Sequence, residues 1–186
     1  MCGIVAYIGP RDATPIILNG LKRLEYRGYD SAGMATIEDG EIQIRRDVGK
    51  LARLQSLVSE QPLSGNLGIG HTRWATHGEP NERNAHPHMG ATGEVVIVHN
   101  GIVENYMSLR EDLLAEGVTL KSDTDSEVIV HLIEHYMAAG HPLKDAVRHT
   151  IGDLQGASAM VLISSCEPDR IIAARVGNAG GIAIGV

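Results

Sequence analysis

The chain opens on an apolar run headed by a cysteine, Cys2-Gly3-Ile4-Val5-Ala6-Tyr7-Ile8, and closed by Gly9-Pro10. A short apolar run bounded by turn residues predicts a strand buried on both faces. That places the start of the chain inside the fold, with other layers laid over it. The same stretch constrains the chemistry. Cysteine is a small second residue, the kind after which Met1 is usually trimmed. Trimming would put a thiol and a free α-amine on one carbon. An α-amine titrates near pKa ~8 and a thiol near ~8.5, so the amine is partly unprotonated at neutral pH. It can take the thiol proton directly or through a water, as N-terminal nucleophiles do. The competing reading is an accidental cysteine, clipped or buried.

Beyond residue 10 the pattern alternates between helical stripes and strand pairs. Asp12 or Thr14 can cap a helix with Pro15 in its first turn and Ile17, Leu18, Leu21 and Leu24 along one face. Residues 24–33 are predicted to form a polar, glycine-flanked loop. Residues 34–38 and 41–46 form a hairpin around Asp39-Gly40. Leu51, Leu54, Leu57 and Val58 mark a short helix, and residues 67–73 a strand. A long loop, 74–93, precedes a strand at 94–99 that ends at Asn100-Gly101. A loop of that length inside a domain is either functional or disordered. A helix follows at 105–116, with Leu109, Leu113 and Leu114 inward. Ser122-Asp123-Thr124-Asp125 caps a helix at 126–139. Another helix spans 143–154, and strands at 157–164 and 170–176 pair. Strands cluster and helices cluster, so the fold class is α+β, antiparallel sheet covered by helices. The pattern stops midway at Val186, as in a fragment of something longer.

Composition excludes several function classes. The 186 residues suit a single domain with a full core. A formal net charge of -7, one Trp and no Phe argue against a nucleic-acid surface, which needs a basic field and stacking platforms. No apolar run approaches the ~20 residues of a membrane span. No signal peptide is visible. Two distant cysteines make no disulfide framework, and reduced thiols fit the cytoplasm.

Four stretches combine chemistry-bearing residues at strand ends: Cys2, Arg27–Gly33, His71–Gly78 continuing to Asn84–His88, and His99-Asn100-Gly101 with Ser122–Glu127 downstream. A cysteine attacking an amide needs donors where the oxyanion develops. Asn100 and the Gly101 N–H can supply two, although an Asn-Gly pair is more often a plain turn. A bound amino acid needs a cation for its carboxylate and an anion for its ammonium. Arg73 offers a planar fork and Asp125 the anion, unless Asp125 is only a helix cap. Zinc is not expected. His71, His77, His86, His88 and His99 show no helical i, i+4 spacing, no accompanying cysteine and no HExxH. Asp123–Glu127 resembles the start of a calcium loop but lacks its central glycine and distal glutamate. Cys166 reads as an inert turn or core residue.

Taken together, Cys2–Val5, Leu24–Gly33, His71–Pro80 with Asn84–His88, Val98–Asn105 and Ser122–Glu127 resemble the class II glutamine amidotransferases. Glu25–Ser31 and Thr72–Gly78 point to their glucosamine branch, the N-terminal glutaminase domains of glucosamine-6-phosphate synthases. The resemblance runs from Cys2 to about Arg175. It implies a four-layer αββα sandwich of the N-terminal nucleophile hydrolase type, truncated at its C-terminus, with residues 2–186 forming an incomplete glutaminase domain. It implies that Cys2 forms a γ-glutamyl thioester with its α-amine as base, and that Asn100 and Gly101 form the oxyanion hole. Arg73 would hold the glutamine α-carboxylate, Asp125 the ammonium, and Thr76 and His77 would line the same pocket. Arg27, Trp74 and His86 would support it, the Trp74 loop closing over glutamine and helping admit ammonia to a channel. No cofactor is implied. The implied partners are L-glutamine and sugar-isomerase domains in a full-length homodimer, where the ammonia would serve glucosamine-6-phosphate synthesis from fructose-6-phosphate. Two alternatives stay open: another class II acceptor, as in amidophosphoribosyltransferase, and a non-catalytic glutamine-binding module. The chain departs from the branch in its glycine-rich end, Arg175–Gly181, and in lacking the synthase half.

Overall fold

The computed structural model describes residues 2–74 and 78–185. Two antiparallel sheets of four strands lie face to face. The first holds β1 (Gly3–Ile8), β2 (Ser31–Glu38), β3 (Glu41–Val48) and β4 (Leu67–Arg73) in the order β1-β4-β2-β3. The second holds β5 (His88–Met89), β6 (Val95–Gly101), β7 (Ser158–Ser164) and β8 (Ile172–Val176) in sequence order.

Packing explains why some strands are apolar throughout. On β6, Val95 and Ile97 face helices while Val96 and Val98 face the other sheet, so the period of two carries hydrophobic residues on both sides. The inter-sheet layer joins Ala35, Ile37, Leu67 and Ile69 to Val96, Val98, Val161 and Ile163. Helices α1 (Ala13–Leu24) and α2 (Leu51–Glu60) cover the outer face of the first sheet through Ile17, Leu21 and Leu54. Helices α3 (Tyr106–Ala115), α4 (Glu127–Ala138) and α5 (Leu143–Asp153) cover the second, with Ile129, Ile133 and Val147 against Ile97, Met160 and Leu162. The layers therefore run α, β, β, α, and the α+β sandwich is as expected.

Local signals act where the sequence places them. Asp12 Oδ1 accepts the Thr14 N–H at 2.9 Å, closing the first turn of α1. Asp39 and Gly40 take φ of 51° and 80°, the left-handed pair that a tight hairpin needs.

Four expectations change. β1 is an edge strand with only one sheet neighbour, so it is half-buried rather than buried on both faces, and Ile8 is 42% exposed. The loop 24–33 shrinks, because Glu25–Arg27 forms a 3-10 helix and Ser31–Gly33 pair with Arg73–His71 as the start of β2. Asn100-Gly101 is no turn, since both residues pair with β7 opposite Ala159 and Ser158. Leu114 faces solvent, because α3 packs inward mainly through Leu113, with Leu109 beside it.

Candidate active site

The first sheet delivers the candidate nucleophile. Cys2 immediately precedes β1, whose Gly3 sits opposite Thr72 on β4. This brings the cysteine beside the peptide that follows β4. Its Sγ accepts the Trp74 N–H at 3.1 Å and lies 3.5 Å from the Trp74 carbonyl oxygen. The second sheet delivers the polar partners. Asn100, near the end of β6, donates its Nδ2–H to the Cys2 carbonyl at 3.3 Å. The neighbouring Ile102 N–H reaches Ala157 O at 3.2 Å. In an antiparallel ladder this turns the Gly101 N–H away from β7. It points to the side that β5 leaves open, because β5 pairs with β6 only at Ile97 and Val96.

These groups line a cavity of about 260 Å³ together with Arg27, Arg73, His86, His99, Thr124, Asp125 and Ser126. A larger cavity, about 580 Å³, lies beside β3 and is lined by Arg45, Arg46, Glu82, Arg83, Lys121 and others. Among the described residues, no cysteine or serine lines it.

Two glycines shape the smaller cavity by letting backbone approach backbone. A Cβ on Gly28 would sit 2.7 Å from the Arg73 carbonyl carbon and 2.9 Å from the Trp74 nitrogen. A Cβ on Gly33 would sit 2.1 Å from the His86 carbonyl oxygen. The spacing of the Arg27–Gly33 stretch thus has a steric origin.

Asp125 is buried, and its Oδ2 accepts the Val103 N–H at 2.9 Å. It does not cap α4, whose N-cap residue is Ser126 without a side-chain bond. The turn before α4 is held instead by Glu127. That carboxylate accepts the Lys121 and Ser122 N–H groups and the Ser122 hydroxyl, each at 2.7 Å. The chain continues from Ser122 Oγ to Thr124 Oγ1 at 2.9 Å and on to His88 Nε2 at 3.1 Å. Burial pushes the Glu127 carboxyl up, but the His131 ring 3.5 Å away and the hydrogen bonds from Lys121 and Ser122 outweigh it and hold the group at about 2.

Burial also sets the other titrating groups. It pushes the Cys2 thiol up, against the Trp74 N–H and the Arg73 guanidinium. It pulls His71 and His99 down to about 4, and His86 well below its ordinary range. The rings of His71, His86 and His99 are therefore neutral near pH 7, and Arg27 and Arg73 are the cations that line the cavity. Arg73 is buried, with Nη2 donating to Gly78 O at 3.2 Å. Trp74 stays half-exposed, edge-on to Tyr29 at a centroid distance of 5.5 Å.

The fold thus brings together Cys2, Arg27, Arg73, Trp74, His86, Asn100, Gly101 and Asp125. Thr76 and His77 lie outside the described residues. His99, Thr124 and Ser126, which the sequence places in a chemistry-bearing stretch without assigning them a role in binding, also reach the cavity. His99 bonds Ser126 Oγ at 2.8 Å and Ser158 Oγ at 3.0 Å, so it ties β6 to the start of α4 and to β7. A histidine inside an apolar strand was the available signal.

Residues 58–173 match the glutamine amidotransferase domain family. The chain belongs to that family. It is a class II member, about half identical along its length to curated relatives of one kind. The glutamine–fructose-6-phosphate aminotransferase (isomerizing) of Pseudomonas putida is 51% identical over 100% of this chain, which spans 30% of that relative. The enzyme of the same name from Pyrococcus horikoshii is 51% identical over 94% of the chain and 29% of its own length. The chain therefore spans about three-tenths of the length of these curated relatives. Among solved structures, the glutamine phosphoribosylpyrophosphate amidotransferase from B. subtilis superposes with a TM-score of 0.76 at 26% identity, over 89% of this chain and 35% of that one. The sandwich is the N-terminal nucleophile fold of these amidotransferases. Among the described residues, no helix is long and apolar enough to cross a membrane.

Proposed function

We propose that this domain hydrolyses the γ-amide of L-glutamine through a thioester on Cys2. The observation that carries the reading is the convergence of the Cys2 thiol, the Asn100 amide and the Gly101 N–H at one cavity that also holds Arg73 and Asp125. With Met1 removed, the Cys2 α-amine accepts the thiol proton. Sγ then attacks the amide carbon and the C=O π pair moves onto oxygen. Asn100 Nδ2–H and the Gly101 N–H meet that charge. When the intermediate collapses, the C–N bond breaks and the proton held on the α-amine leaves with ammonia. Water attacks the thioester by the same route in reverse and releases glutamate.

In this reading Arg73 takes the glutamine carboxylate and Asp125 its ammonium, which sets L-glutamine apart from simple amides. Thr76 and His77 complete the pocket, and Arg27, Trp74 and His86 support it. The hydrolysis needs no cofactor. Residues 2–186 act as the glutaminase domain of a cytoplasmic homodimer. There, sugar-isomerase domains use the ammonia to convert fructose-6-phosphate to glucosamine-6-phosphate. The names and 51% identity of the two curated relatives support that acceptor.

A second reading, ammonia delivered to a phosphoribosyl acceptor, draws on the structural likeness to the B. subtilis amidotransferase, at the lower identity of 26%. A third, glutamine binding without turnover, predicts heat on titration and no glutamate. Glutamate release from the purified protein decides first. It should vanish in Cys2→Ala, and undiminished release from that variant ends the proposal. Ammonia-dependent product formation with fructose-6-phosphate in the full-length protein then separates the acceptors.

A further inference from the structure

A primary amide has two ends of similar shape and opposite chemistry. Asn100 helps an oxyanion only if its NH2 end faces the nucleophile; reversed, its carbonyl oxygen would repel the developing charge. The surroundings fix which end goes where. His71 Nε2 lies 3.1 Å from the His99 carbonyl oxygen and 2.9 Å from Asn100 Oδ1. A backbone carbonyl can only accept, so Nε2 carries the ring proton. The Asn100 atom facing that N–H must then be the acceptor, its oxygen. The NH2 is thereby turned toward Cys2, where it meets the carbonyl at 3.3 Å.

We propose that His71 is the positioning residue of this site: its Nε2–H, oriented by the His99 carbonyl, holds the Asn100 amide with its donor end toward Cys2. The proposal rests on the reading of Asn100 as an oxyanion donor. The ring itself is well placed to act as a fixed strut. It is 1% exposed on β4 and stacks on His86 with centroids 4.2 Å apart. Because β4 belongs to the first sheet and β6 to the second, the orienting bond crosses the sandwich.

A double-mutant cycle in the full-length protein tests this. His71→Phe removes the donor and should lower kcat for glutamine hydrolysis by up to the roughly 10²–10³-fold that loss of one oxyanion donor costs, while KM stays within about twofold. In an Asn100→Ala background the same substitution should change kcat less than about twofold, because no amide is left to orient. His71→Gln, which can still present an N–H, should recover part of the loss. His71→Met serves as a second non-donor if the phenylalanine variant does not fold. Equal losses in both backgrounds, or a change confined to KM, overturn the positioning role. A wild-type kcat in Asn100→Ala alone instead overturns the reading of Asn100, which keeps the two failures apart.

Discussion

The backbone N–H of Trp74 points at the sulfur of Cys2 across 3.1 Å. A hydrogen bond to sulfur favours thiolate, yet burial acts more strongly in the other direction and leaves the thiol above its ordinary range. At rest Cys2 is therefore a protonated thiol, and the proposed attack on an amide requires a nearby base. The surrounding imidazoles are structural, two of them held at about 4.

That need makes processing of the first residue decisive. Retained Met1 would turn the Cys2 α-amine into an amide nitrogen with no basicity near neutral pH. A general base contributes roughly 10²–10⁴-fold, so blocked trimming should silence glutamine hydrolysis on that scale while the fold persists. Intact-mass measurement of active material should show one methionine missing. Full activity in uniformly Met1-retained protein would remove the α-amine from the mechanism.

Gly28 should be as sensitive as a residue that touches substrate, although it touches only backbone. Its close approach to the Arg73–Trp74 peptide leaves no room for a methyl group. Gly28→Ala must push that peptide, and with it the N–H that meets the sulfur. A displacement near 1 Å can cost on the order of 10²-fold in rate, whereas overpacking typically costs ~1–3 kcal/mol of stability. Gly152 on α5, with open space around its Cβ position, is the control, and alanine there should leave kcat alone. Equal rates for the two variants would contradict the steric argument.

Arg73→Lys tests whether shape matters beyond charge. Lysine keeps the charge and loses the fork that matches a carboxylate. Losing one charge-assisted pair costs ~1.5–3 kcal/mol, about ten- to a hundredfold in kcat/KM for glutamine. Steady-state kinetics on L-glutamine reads this directly, and a lysine variant with unchanged kcat/KM rules Arg73 out as the partner of the glutamine carboxylate.

The turn that carries Asp125 should weaken in acid. Glu127 has a folded pKa of about 2, below its ordinary 4.5. A depressed carboxylate contributes stability that is fully present above the unfolded value and is lost as pH falls through the folded one. The stability gap between wild type and Glu127→Gln should therefore be widest near pH 6 and shrink steadily between about pH 4.5 and 2. Urea midpoints at pH 6 and pH 3 measure it. A gap that does not narrow would mean that the charge on Glu127 is not what holds Lys121 and Ser122.

Much of this was legible in the chain. The Asp39-Gly40 turn, the cap at Asp12 and the apolar strands around Ile69 and Ile97 follow from local residue types. What stayed hidden depends on partners far away. β1 looks internal by composition, and only the strand order puts it at an edge. Asp125 carries the signal of a helix cap, because a buried acceptor for the Val103 N–H uses the same residue type. The resemblance placed Asn100 and Arg73 at one site, but the orientation of the Asn100 amide could not be read there. It depends on a carbonyl of β6 and a ring on β4, which meet only once the sheets are stacked.

That stacking has a mechanical consequence. Cys2 rides on one sheet and Asn100 and Gly101 on the other, and they are kept in step by the packing of Ala35, Ile37, Leu67 and Ile69 against Val96, Val98, Val161 and Ile163 and by the bonds from Asn100 to Cys2 and His71. A small shear along that seam would part sulfur from amide while every strand stayed paired. Turnover is thus an alignment gauge for the sandwich, more sensitive than circular dichroism. Ile69→Val or Val98→Ala should detune the rate before the fold gives way, and whatever leans on either sheet from outside gains a lever on catalysis.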